Sequence, residues 1–150
     1  MTLSPINVAL AIIYQQGKFL MQLRDDIPSI LYPGHWALFG GHIEEGESPE
    51  IAMRRELKEE IAYEIITLEK FHSYQEANLV RHIYHLPLET SIHNLNLQEG
   101  QDLDLITIAD IQAGQAYAKK LREFRPIGKP HQQVLLDFLT SEFQKITARN

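Results

Sequence analysis

Apolar residues run without interruption through Val8–Tyr14, VALAIIY, the pattern of a strand covered on both faces. Gln15-Gln16-Gly17-Lys18 supplies turn residues and Phe19 to Leu23 reads as the returning strand, so the chain opens on a hairpin. Arg24-Asp25-Asp26 ends it. A long loop then runs through Pro28, Pro33 and Gly34, with Tyr32 and His35 as exposed aromatic candidates. Loops of this length fixed to a rigid sheet often supply specificity, although Tyr32 packing over the hairpin is an equal reading. Trp36 to Phe39 is a short strand that delivers the chain to Gly40-Gly41.

Beyond Gly46 the period changes from two to 3.6. Ser48 is suited to an N-cap, Pro49 to the first helical position, and Glu50 to the positive end of the helix dipole. On that helix Met53, Leu57 and Ile61 share the face that meets a core, while Glu56, Glu59 and Glu60 share the adjoining face. Ile65 to His72 and Leu79 to Leu86 are apolar runs separated by Ser73 to Asn78, a second hairpin, and Leu103 to Ile106 is a further strand. Thr107 to Asp110 has the form of a capping box and predicts a helix from about Ile108 into Leu121. Pro130 opens a last helix, His131 to Ile146, with Val134, Leu135, Phe138 and Leu139 on its buried side. This order predicts an α/β fold in which a mixed sheet is layered between helices, as one domain over residues 1–150.

With 150 residues the chain is large enough for a proper core, and no segment approaches the length needed to cross a membrane. The N-terminus lacks the basic start and long apolar run of a signal peptide. The absence of cysteine excludes a disulfide framework and thiol chemistry, and agrees with a cytoplasmic location. A formal net charge of −6 argues against nonspecific binding to nucleic-acid backbones. Lys119 to Lys129 is the one basic run, broken by Pro126 and Gly128; it reads as a solvated helix end and linker, or as a rim of a phosphate cleft.

The chemistry concentrates in Gly41 to Tyr63, GHIEEGESPEIAMRRELKEEIAY, which carries seven acidic side chains. Carboxylates three and four residues apart on a helix repel, and on the wheel Lys58, Arg54 and Arg55 lie away from the Glu56, Glu59 and Glu60 patch. A hard divalent cation held by oxygens, Mg²⁺ or Mn²⁺ rather than zinc, is the natural neutraliser, and it takes phosphate oxygen as a further ligand. The alternative is a solvated charged helix face. His72, His85 and His93 form no ligand cluster by spacing.

Gly41, Glu47, Arg55-Glu56-Leu57 and Glu59-Glu60, at these spacings, resemble the signature of the Nudix hydrolase family, and the preceding WALFGG strengthens the match. The resemblance implies an alpha/beta/alpha sandwich. It also implies that Glu56, Glu59 and Glu60 hold divalent cations, that Arg55 orients the box with help from Glu47, and that Gly41 shapes the loop. Glu99, in Glu99-Gly100-Gln101, matches a glutamate that supplies a further cation ligand in the family branch that cleans the nucleotide pool; Asp102 and Asp104 are its nearby substitutes. Ala62 and Tyr63 depart from the usual final glycine and aliphatic residue, so the helix exit is the place where strain is expected.

The activity implied is hydrolysis of the pyrophosphate link in a nucleoside diphosphate joined to another group X. A nucleoside triphosphate pyrophosphohydrolase is the alternative, and a noncatalytic nucleotide- or protein-binding module a third, disfavoured because such a module has no need of three mutually repelling glutamates. The base is a box glutamate or a loop carboxylate such as Glu123. Arg24, Tyr32 and Arg81 join Gly41 as candidate ligand contacts. The expected partner is a small nucleotide, not nucleic acid or a membrane, and a homodimer is compatible with the sequence.

Overall fold

The computed structural model describes residues 4–141. Its centre is β1 (Ile6–Gln15), which runs parallel to β6 (Leu79–Pro87) from Ile6↔Leu79 to Tyr14↔Pro87. The other edge of β1 is divided. Ile13–Gln15 pair with β2 (Lys18–Leu23), whereas Val8–Ala11 pair with β4 (Phe39–His42). β2 pairs in turn with β3 (Trp36–Ala37) and β7 (Asp102–Ile106), and β5 (Glu69–Glu76) lies beyond β6. All of these belong to one mixed sheet of seven strands.

Alternation along β1 distributes its side chains between two cores. Leu10, Ile12 and Tyr14 meet Val134, Leu135 and Phe138 of α3 (Lys129–Ser141) and Ile111 of α2 (Ile108–Ala113). Ala9, Ala11 and Ile13 face Met53, Leu57 and Ile61 of α1 (Pro49–Ile61) on the opposite side. Alanine at two of those three positions lets α1 approach the sheet closely. The result is the expected mixed sheet between helices, and no helix among the described residues is long and apolar enough to cross a membrane.

Three predicted elements are corrected. The helix opening at Ile108 stops at Ala113 because Gly114 turns left-handed, with φ 80°, and its N–H caps Asp110 and Ile111. Beyond Gly114 the chain forms a two-stranded sheet, β8 (Gln115–Ala118) and β9 (Glu123–Pro126), tied to the core by Trp36 Nε1–H donating to the Ala116 carbonyl at 3.1 Å. Lys119 and Lys120 of the basic run therefore belong to a hairpin and reach back to Asp104 and Asp102. The second hairpin is displaced: β5 begins at Glu69, and its turn is only Ala77-Asn78, while Ile65 and Leu68 pack against the α1 core from a loop. The last helix begins two residues early, at Lys129, and its predicted stretch beyond Ser141 lies outside the described residues.

Candidate active site

α1 begins as its sequence dictates, with Ser48 Oγ accepting from Ile51 N–H at 3.2 Å and Pro49 in the first position. It ends at Ala62, φ 54° and ψ 37°, the left-handed conformation that glycine adopts without cost. Between these caps the helix presents Glu56, Glu59 and Glu60 to a cavity that Gly40 and Gly41 of β4 also line. Gly40 has φ 143°, and a Cβ there would collide with the Ala9 carbonyl oxygen, so the close approach requires glycine. A Cβ on Gly41 would meet Oε1 of Glu56 at 2.6 Å, which makes Gly41 the floor beneath that carboxylate.

Glu60 is only 2% exposed. Its Oε1 accepts the Gly40 N–H at 2.8 Å and its Oε2 accepts from Gln22 Nε2 at 3.3 Å. Burial, then the nearby Glu56, push its carboxyl up to about 8, against the partial opposition of those two donors. The Glu56 carboxyl is also pushed up, chiefly by burial, with Glu59 and Glu99 adding to the repulsion and Arg55 opposing it. Glu99 thus shares a field with Glu56 and Glu60, and it lines the same cavity; Asp102 and Asp104, engaged by lysines, do not.

Arg55 is not remote from the acidic patch, as the helical wheel placed it. A wheel locates Cβ, whereas the long side chain folds back. Its Nε and Nη2 donate to the two oxygens of Glu47 at 2.6 and 2.9 Å, its Nη1 reaches Glu56 at 3.1 Å and Glu59 at 3.2 Å, and Nη2 also donates to the His42 carbonyl. This forked contact is the arrangement that distinguishes arginine from lysine. The Arg55 hydrogen bond holds the Glu47 carboxyl down to about 2, and Glu47 in turn accepts the Glu44 N–H at 2.9 Å, closing the loop before the helix.

Among the described residues no three acidic or histidine side chains are already drawn together as a ready-made ligand set. The donor set nevertheless fits a hard cation. Glu56, Glu60 and Glu99 offer carboxylate oxygens, and two of these groups resist ionisation in their present surroundings, a resistance that a divalent charge would relieve.

A cavity of about 750 Å³ is lined by these carboxylates together with Gln22, Leu38, Gly40, Arg24, Arg81 and His131. Val8, Leu10 and Leu79 supply apolar wall, and Asp25, Ile30 and Leu31 bring the long loop to its edge. Of the candidate contacts, Gly41, Arg24 and Arg81 line this space. Tyr32 does not; it packs edge-on against His35 and His131 and forms part of the support behind the wall. Glu123 pairs with Arg125 at 3.2 Å, away from the cavity, so it is not placed to act as a base. No residue of the basic run Lys119 to Lys129 lines the cavity either.

The profile of the NUDIX domain matches residues 4–126. The chain belongs to the Nudix family. Curated relatives include nucleoside triphosphatases NudI of Escherichia coli and Shigella flexneri, 36% identical over 64 residues, a match that spans 42% of this chain and 44% of the relative. Among solved structures, MutT studied from Aliivibrio salmonicida and Vibrio cholerae is similar with TM-score 0.68 and 23% identity, covering 98% of this chain and 100% of that one. The NUDIX domain of Shewanella oneidensis NrtR, solved with ADP ribose, is similar with TM-score 0.66 and 21% identity, covering 89% and 85%. These structures share the fold of this Nudix chain.

Two cavity-lining positions were not singled out from sequence. Gln22, inside the strand KFLMQL, holds Glu60 and the Leu38 carbonyl; a polar residue in a buried run was the available signal. His131 was read only as the start of a helix, and nothing local announces that it faces the cavity.

Proposed function

We propose that this chain is a divalent-cation-dependent hydrolase of the pyrophosphate link in a nucleoside diphosphate joined to another group X. One observation carries the reading: half-buried and buried carboxylates, Glu56 and Glu60, line one cavity together with Arg24 and Arg81. Glu56, Glu59 and Glu60, with Glu99, are the residues that would hold Mg²⁺ or Mn²⁺. A cation bound there supplies neutralisation of phosphate charge and activation of water. Arg55 fixes the rotamers of Glu56 and Glu59, Gly40 and Gln22 fix Glu60, and Gly41 leaves room for Glu56; together they orient the oxygens before substrate arrives. A box carboxylate is the base this arrangement offers for the attacking water, since Glu123 lies elsewhere.

The loop residues Asp25, Ile30 and Leu31 favour a substrate with a second moiety, because they line the cavity as well as the strands do. The names of the NudI relatives favour the second reading, a nucleoside triphosphate as substrate. Product analysis separates the two. Nucleotide sugars, dinucleoside polyphosphates, ADP-ribose and nucleoside triphosphates are incubated with Mg²⁺: linked diphosphates should yield nucleoside monophosphate and phosphorylated X, with kcat/KM above that for any triphosphate. A triphosphate preferred about tenfold over every linked diphosphate, with pyrophosphate as product, would establish the second reading in its place.

A further inference from the structure

His131 is the third residue of α3 and 7% exposed, yet it lines the cavity. Its Nδ1 accepts the Leu38 N–H at 3.1 Å. An imidazole that accepts at Nδ1 carries its proton at Nε2 when neutral, and burial followed by the charges of Arg81 and Arg24 lowers its pKa to about 3, so it is neutral under ordinary conditions. Nε2 meets no protein acceptor among the described residues, and His131 lines the cavity. The ring is held from behind: Tyr32 stacks edge-on at 6.2 Å, and Gly128 leaves the space in which a Cβ would stand 2.9 Å from its Cδ2.

The neighbouring groups have the same polarity. The Arg81 side chain is 6% exposed and its one ion pair is a long contact, 3.5 Å, to an exposed Glu76. Nε of Arg24 is buried with no acceptor among the described residues. The Arg24 backbone is clamped: its N–H donates to the His35 carbonyl at 2.9 Å and its carbonyl accepts from Gln101 Nε2 at 2.9 Å. His131, Arg81 and Arg24 thus form a group of donors that lines the cavity together with the apolar side chains of Val8, Leu10, Leu38 and Leu79. Donors beside apolar side chains suit a flat ring whose edge carries acceptors, and a group presenting N–H to them would leave donors facing donors in a buried place.

We propose that His131 is a specificity-determining residue that reads the nucleobase: its Nε2–H, backed by Arg81 and Arg24, takes bases with a carbonyl oxygen at purine C6 or pyrimidine C4, as in guanine, uracil and thymine. Adenine and cytosine, which carry an amino group at that position, are refused. The inference rests on the nucleotide-hydrolase reading only in placing a nucleoside in this cavity; it is independent of the leaving group.

The test is binding of nucleoside monophosphates without added cation, measured by calorimetry for GMP, UMP, AMP and CMP, with inorganic phosphate as a separate arm. GMP and UMP should bind at least tenfold more tightly than AMP and CMP. Two variants separate recognition from folding. In His131→Asn the side-chain oxygen can still accept from Leu38 N–H but nothing reaches the Nε2 position, so the ratio should fall below threefold through weaker GMP and UMP binding. His131→Gln, which can carry an N–H to that position, should restore part of the ratio. Equal affinity of the four nucleotides for the parent, or an unchanged ratio in a folded His131→Asn, would overturn the proposal. Inorganic phosphate binding as tightly as GMP and losing affinity in His131→Asn would overturn it too, by showing an anion site. Because no turnover is measured, failure of the hydrolase reading in the product panel leaves this result separately readable.

Discussion

Replacing Ala62 by glycine should stabilise the protein, and the magnitude follows from the backbone. Ala62 stands at φ 54°, ψ 37°, with its N–H donating to the Lys58 carbonyl at 3.0 Å and the following Tyr63 N–H to Leu57 at 3.3 Å. This closing turn satisfies carbonyls at the end of α1 whichever residue occupies it. For a residue with a Cβ the left-handed conformation costs about 1–2 kcal/mol. Glycine removes that strain but gives the unfolded chain more freedom, an opposing effect of about 0.4–1 kcal/mol. The side chain of Ala62 is exposed, so its removal sacrifices no packing. The difference is a gain of about 1 kcal/mol, or roughly 2–4 °C in Tm for a chain of this size. Urea titration should show a higher midpoint at unchanged slope, and Mg²⁺ affinity should stay within about threefold because no carboxylate moves. An unchanged or lower midpoint would refute the claim that this helix exit is strained.

Three further predictions concern the site and its frame. Between about pH 6.5 and 8 the folded Glu60 carboxyl retains the proton that the unfolded one has lost, so the cation-free protein should lose stability as pH rises through this window; His131 titrates below it and with opposite sign. Urea midpoints at the two ends should differ in the parent and converge in Glu60→Gln, and a flat parent profile would refute the assignment. Arg55→Lys keeps the charge but loses the fork that spans Glu47, Glu56 and Glu59, so kcat should fall roughly 10–100-fold with the fold retained by circular dichroism; near-parental kcat would deny Arg55 a positioning role. Gly40→Ala drives a Cβ into the Ala9 carbonyl and should cost about 2–4 kcal/mol in a denaturant melt, whereas a cost below about 0.5 kcal/mol would show that β4 can shift away.

The helix that carries the carboxylates was legible because its information is local: Ser48 and Pro49 mark its start, and the positions of Met53, Leu57 and Ile61 fix the buried face. Its left-handed exit at Ala62 was expected only from the glycine that the Nudix signature places there. Elsewhere distant partners decide. Gln115 to Leu121 has no strong breaker after Gly114, and residues such as Ala116, Ala118 and Lys119 suit a helix; the bond from Trp36, 80 positions away, and pairing with β9 make Gln115 to Ala118 a strand. β5 is largely exposed, so its limits come from hydrogen bonding to β6 and not from an apolar run. Arg55 was misplaced because a helical wheel carries no side-chain length. His131 could not be found from its neighbours in sequence, since its partner Leu38 lies 93 positions earlier.

The claim that Glu56, Glu59 and Glu60 form a cation site for pyrophosphate cleavage meets its most direct test in single glutamine variants, which remove charge with little change in shape. Steady-state rates are measured for the parent, Glu59→Gln and Glu60→Gln on the best substrate of the panel, over a Mg²⁺ titration and after chelation. The account predicts that chelation abolishes turnover of the parent, and that each variant loses on the order of 100-fold or more in kcat/KM while remaining folded by circular dichroism. Turnover by both variants within about threefold of the parent, or full parental activity after chelation, would contradict it.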